Sequence, residues 1–247
     1  MNINGNPNGT RGDLKMTGNG QSGGGAFRNV KIMGDAIIHA DTECEMFKCL
    51  GNSEVKGVLQ AGSVSCTGTL KVAGSASGGS FRTQGELRIG GDLSAQSVSI
   101  SGVMSVDGRV SAEKAKITGE LRANADCQME ELVVRGMVDV NGMLNAEQAD
   151  FKLHGHSRLR ELVGSRITVK KGSGMSLFGK LFMGPDGMLT AETIEGDTVE
   201  LENTKAAVVR GRSVTIGAGC SIGLVEYKDE LKQDPEAVVS QSAKTEW

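Results

Sequence analysis

Two histidines stand one residue apart, His154 and His156, a spacing that puts both side chains on one face of a strand. Such a pair with a nearby acid could hold a metal, because imidazole nitrogens are common zinc ligands. No third ligand stands at a metal-site spacing, and the pair falls at a slip in the pattern described below, which predicts a solvent-facing edge. The five cysteines, Cys44, Cys49, Cys66, Cys127 and Cys220, form no CxxC motif. They read as small buried hydrophobes. Their odd count and the lack of a signal peptide point to a reducing cytosol. The glycine-rich run Gly18–Gly25 lacks the Gly-Lys-Ser/Thr ending that cradles a phosphate. Arg11-Gly12-Asp13 spells an adhesion tripeptide by chance. Lys71, Arg88 and Arg122 share one column of the repeat, but Ser105 and Asp139 interrupt it, and it reads as a solvated face. No serine–histidine–acid set and no paired carboxylates stand out. The sequence therefore predicts no catalytic residue, no cofactor and no metal, and a protein that is not an enzyme.

The elements that carry these residues follow from a repeat. Glycine, once alanine, returns every seventeen residues at Gly57, Gly74, Gly91, Gly108, Ala125 and Gly142. A second glycine column runs from Gly51 through Gly68, Gly85, Gly102 and Gly119 to Gly136. Counted from the first glycine of a turn, apolar or small residues occupy offsets 0, 2, 4, 7, 9, 11, 13 and 15. Steps of two are the strand period. Seventeen is odd, so the one step of three, from 4 to 7, returns the same side to the interior. The spacing predicts an all-β, single-stranded parallel β-helix with three short strands per turn and glycine at two of the three corners. With 36 glycines and only 3% aromatic residues, the composition suits a narrow aliphatic core.

The repeat bounds the chain. Residues 1–22, rich in Asn, Gly and Ser, read as a flexible lead-in in which Leu14 and Met16 make at most a brief strand; residues 23–227 read as the β-helix; residues 228–247 read as a polar, disordered or weakly helical tail. A slip of two residues is expected before Phe151 and Leu153. The looser run from Gly172 to Gly187, with Phe178, Phe182 and Pro185, reads as a protruding loop or a wider turn, and about ten turns are expected. The net charge of −3 gives no reason to expect nucleic acid or an anionic membrane surface. No apolar run approaches the ~18 residues of a membrane span.

The segment Phe27-Arg28-Asn29-Val30-Lys31-Ile32-Met33-Gly34, followed by Phe47-Lys48-Cys49-Leu50-Gly51 and the glycine-punctuated turns, resembles the bactofilins. The closing Val209–Gly217 and Ile222–Tyr227 segments look like the longer Gram-positive members. The resemblance covers roughly residues 23–227. It implies a right-handed, roughly triangular β-helix, nucleotide-independent assembly into filaments, and scaffolding at the cytoplasmic membrane of cell shape, envelope growth or flagellar motility. It implies as partners the protein itself, a paralogous bactofilin, and envelope or flagellar proteins. The expected location is the cytoplasm, with the inner face of the cell membrane as the peripheral option. Residues 1–13 hold little apolar surface, so membrane association is expected to be indirect or weak.

A β-helix also has a physical reason to polymerise. Its two open ends present unpaired N–H and C=O groups that template further pairing. The residues expected at those ends are Val30 and Ile32 at one and Val214, Ile216, Ile222 and Leu224 at the other. The alternatives are a β-helical enzyme, acyl-transferring or carbohydrate-active, and a monomeric β-helical adaptor.

Overall fold

A computed structural model describes residues 11–172 and 187–246. Its strands are β1 (Leu14–Ser22), β2 (Gly25–Ala26), β3 (Asn29–Ile38), β4 (Thr42–Val55), β5 (Leu59–Val72), β6 (Ala76–Thr83), β7 (Glu86–Ile89), β8 (Leu93–Ile100) and β9 (Val103–Val106). They continue as β10 (Val110–Ile117), β11 (Glu120–Ala123), β12 (Cys127–Val134), β13 (Met137–Leu153), β14 (His156–Lys171), β15 (Met188–Leu201), β16 (Thr204–Ile216), β17 (Ser221–Gln233) and β18 (Val238–Lys244). No helix among the described residues is long and apolar enough to cross a membrane.

The strands pair in parallel and stack as a β-solenoid of about 13 turns, about 17 residues apart. One inward column shows the register. Leu14 pairs with Val30, Val30 with Phe47, Phe47 with Val64 and Val64 with Phe81. The same column closes through Val199, Val214 and Leu231. The three inward pairs read from the sequence are the three walls: in one turn Leu59 and Ala61, Val64 and Cys66, and Leu70 and Val72 are all buried. Alternation alone places them, since every second residue of a strand faces the same side. Burying one such Leu, Val or Ile side chain contributes roughly 1.5–3 kcal/mol.

The corners explain the glycine columns. Gly34 and Gly51 take φ of 124° and 123°, a conformation that L side chains rarely adopt. At the other glycine corner an acid stands beside the glycine. Asp41 Oδ1 accepts the Val58 N–H at 2.8 Å, Asp92 Oδ1 the Arg109 N–H at 2.8 Å, and Asp126 Oδ1 the Met143 N–H at 2.9 Å. Each carboxylate thus satisfies a donor one turn further on, where the strand ladder is interrupted. Asp92→Ala is expected to cost about 1 kcal/mol, the net worth of a hydrogen bond in an exposed setting. Faster hydrogen exchange at the Arg109 amide, read beside a denaturant midpoint, checks it.

The solenoid is longer than the sequence suggested at both ends. The expected lead-in is a full strand: β1 pairs with β3 from Leu14–Val30 to Ser22–Ile38. It is also pinned by ion pairs from Arg11 to Glu43 at 2.7 Å and from Arg28 to Asp13 at 3.1 Å. The expected polar tail is β-structure too. β17 runs to Gln233, and β18 pairs with it from Ser221–Val238 to Tyr227–Lys244. Composition misleads here because the exposed edge of the neighbouring turn supplies the pairing, and tertiary context overrides β-propensity.

The slip also sits elsewhere. Leu132 pairs with Ala149 and Val134 with Phe151, so the seventeen-residue register holds through Phe151. The extra residues fall between Phe151 and Arg158, since Asp139 pairs with Arg158, and the register shift between Val140 and Met143 takes one of them back. Leu153, buried, takes the corner position that glycine holds in the turns before it. The stack resumes with Ile167 paired to Val199. The loose region's Met175, Leu177, Phe178, Leu181, Phe182, Met183 and Pro185 lie outside the described residues, as does Trp247.

Candidate functional site

The six residues expected at the ends lie inside the stack. β1 covers Val30 and Ile32, through Leu14 and Met16. Leu231 and Gln233 cover Val214 and Ile216, and Val239 and Gln241 cover Ile222 and Leu224. Five of the six are buried as the spacing predicts; Leu224 is only half-buried, because Val225 takes the inward position in register with buried Val209, and the outer turns were hidden in polar sequence. The described extremities are therefore Leu14, Met16 and Phe27 on one side and Leu231, Gln233 and Val239 on the other. Met16 and Phe27 are each 8% exposed. At the far extremity Gln233 Nε2 donates to the Ala237 carbonyl at 3.0 Å, and Val238 is 61% exposed. Among the described residues β1 pairs with β3 and β18 with β17, which leaves one edge of each strand without a strand partner.

The residues singled out for chemistry do not assemble. His154 and His156 are exposed at the bend between β13 and β14. No group of three or more metal-binding side chains occurs among the described residues. The side chains of Arg11 and Asp13 are engaged across turns. Arg28 Nε and Asn29 Nδ2 donate to Asp13 at 3.1 and 2.9 Å, and the Arg28 contact, ahead of Asn29, holds that carboxyl below its usual range. In the shared basic column Arg88 pairs with Glu86 and Arg122 with Glu120, each two residues back on its own strand. The expected solvated face is thus largely charge-compensated.

A groove of about 810 Å³ spans several turns, with Gly78, Ala95, Ala112 and Met129 along its floor, Ser77, Ser94 and Ser111 on one rim and Glu113, Glu130 and Glu147 on the other. Neither histidine nor cysteine lines it. The rim glutamates are exposed, one per turn. The sequence reading missed this alignment, although glutamate recurring at the period of the repeat was there to be counted.

The interior holds a polar thread among aliphatic side chains. Cys49 and Cys66 are register partners on adjacent strands, and Cys66 pairs in turn with Thr83. All three are buried, and Thr83 Oγ1 has no hydrogen-bond partner among the described residues. Ser53, 5% exposed, sets its Oγ 3.1 Å from Cys49 Sγ. It occupies the inward position that Leu70 and Leu87 hold in the next turns. A hydroxyl at an inward column position was the available signal. The Cys66 thiol, then the Ser53 hydroxyl, draw the Cys49 thiol below its ordinary value against the opposing effect of burial. Burial pushes Cys44 up to about 11 and Cys127 up to about 12, and raises Cys220.

No protein-family model matches the sequence, and no solved structure matches it. Two proteins of Bacillus subtilis (strain 168) are similar to it. The uncharacterized protein YhbF is 44% identical over 91 residues, which are 37% of this chain and 36% of YhbF. The uncharacterized protein YhbE is 49% identical over 232 residues, 94% of this chain and 97% of YhbE. An identity near one half, sustained from one end of the solenoid to the other, shows that the chain belongs to the YhbE family.

Proposed function

We propose that this protein is a non-enzymatic, bactofilin-like scaffold that assembles end to end into filaments without a nucleotide. In this reading it organises envelope, cell-shape or flagellar machinery from the cytoplasmic side of the membrane. The observation that carries the proposal is the pair of strand edges at the extremities, β1 and β18, each bonded on one side among the described residues. A parallel solenoid extends by adding one strand to each wall, and a second copy supplies such strands at the same spacing of about 4.8 Å. Its first partner is itself. Co-assembly with a second solenoid of the same type is the companion proposal, supported by the two similar proteins in one organism.

Sedimentation and negative-stain microscopy of the purified protein test it. The wild type is expected to pellet as filaments with no added nucleotide. Met16→Arg places a guanidinium at the first opening, where its solvation opposes burial by an incoming copy. It is expected to reduce the pelleted fraction by more than half while circular dichroism keeps its β signal. A wild-type protein that stays monomeric at every concentration overturns the proposal. The acidic groove is the feature an enzyme or adaptor would use, but no histidine or thiol accompanies its glutamates, and the reading is not favoured.

A further inference from the structure

The polar thread around Cys49 is placed for chemistry that filament scaffolding does not use. In-register residues on neighbouring parallel strands have their Cα atoms about 4.8 Å apart. That lies within the roughly 4.4–6.8 Å that a disulfide spans. Cys49 and Cys66 are such partners, with both thiols pointing into the same wall of the core. Burial alone would leave them inert. A cleft of about 520 Å³, however, opens on the outer surface of the adjoining wall, and Ala36, Asn52, Ser53, Glu54 and Lys71 are among its lining. Ser53 is the residue common to both: it is part of the cleft lining, and its hydroxyl, on the inward side of the strand, meets Cys49 Sγ at 3.1 Å. The other three cysteines have no cysteine as a register partner: Cys44 pairs with Ala61, and Cys127 with Val110 and Leu144. Cys220 donates to the Leu201 carbonyl.

We propose that Cys49 and Cys66 are an oxidation site, joined by a disulfide between adjacent turns when a peroxide enters through the cleft over Ser53. The Cys49 thiolate attacks the peroxide. An S–O bond forms, the O–O bond breaks, and the departing hydroxide takes a proton to leave as water. The Cys66 sulfur then attacks the sulfenic sulfur. The S–S bond forms, the S–O bond breaks, and the second hydroxide leaves as water with the proton from Cys66. Two thiols lose two electrons and one peroxide becomes two waters. The Cys66 thiol and the Ser53 hydroxyl favour the Cys49 thiolate, the nucleophilic form, against burial and the Gly51 and Thr69 carbonyls to which the thiol donates. A thiol reductant reverses the bond by exchange. The proposal is independent of filament assembly.

Hydrogen peroxide on the folded full chain, followed by peptide mass mapping without reductant, tests it. Trypsin cleaves after Lys48, Lys56 and Lys71 and so separates the two cysteines. The expected result is loss of two of the five thiols and a linked peptide pair lighter by two hydrogens, restored by dithiothreitol. Cys66→Ser is expected to stop Cys49 at the sulfenic acid, which dimedone traps. Ser53→Ala is expected to slow crosslinking several-fold and to move the pH profile of Cys49 alkylation upward. Oxidation spread over all five cysteines, over-oxidation of Cys49 without linkage, or no thiol loss under conditions that oxidise glutathione each overturns the proposal. Crosslinking as fast in Ser53→Ala as in the wild type overturns the route through the cleft.

Discussion

Gly51→Val is expected to destabilise the N-terminal turns by about 3 kcal/mol or more. Two causes act together. The backbone there has φ of 123°, and a β-branched side chain is an outlier at such an angle. A Cβ would also collide with the carbonyl oxygen of Gly34, a backbone atom of the previous turn that is fixed by its own pairing. Neither problem can be relieved by a rotamer change. Gly23→Ala supplies the control: a Cβ there meets no atom within 4 Å, and its effect is expected to be within about 0.5 kcal/mol. Denaturant unfolding of the two variants side by side checks the contrast. If Gly51→Val unfolds at the wild-type midpoint, the corner geometry is wrong.

Phe81→Ala is expected to cost about 3–5 kcal/mol, the range for deleting a buried phenyl ring. Phe81 is 1% exposed and stands in a single column between Val64 and Val98. Those neighbours are held by parallel pairing above and below and cannot close over the cavity. Because each turn touches its neighbours and little else, the loss should be local. Hydrogen exchange is expected to rise in β5, β6 and β8 while β15 and β16 keep their protection. Uniform loss along the whole chain would contradict a body built of stacked nearest neighbours.

Most of the solenoid was legible because its signal is a count. The inward pairs, the odd step and both glycine columns follow from the period alone. Three things escaped it, each for a physical reason. β1 sets Leu14 and Met16 in a run of lysine, glycine, asparagine and serine, and β18 sets Val238 and Val239 ahead of a polar run, so neither shows a sustained strand pattern; pairing with the neighbouring turn orders both. The slip after Phe151 was misplaced because Ala149, small and buried, made Phe151 and Leu153 look like the next inward pair. Ser53 was overlooked because a hydroxyl in an apolar column looks like noise until its distance to Cys49 is known. The same gap affected the end residues: periodicity tells which side chains face inward, but not which turn is last.

The acids at the glycine corner carry a consequence for how the chain comes to be made. Asp41, Asp92 and Asp126 each wait for an amide seventeen positions downstream, so no coil can complete its bonds before its predecessor is set. A ribosome delivers residues in that same sequence. Every newly emerged loop finds its template already laid, and a nascent chain arrested midway would hold a finished, shorter spiral rather than a fragment awaiting the remainder.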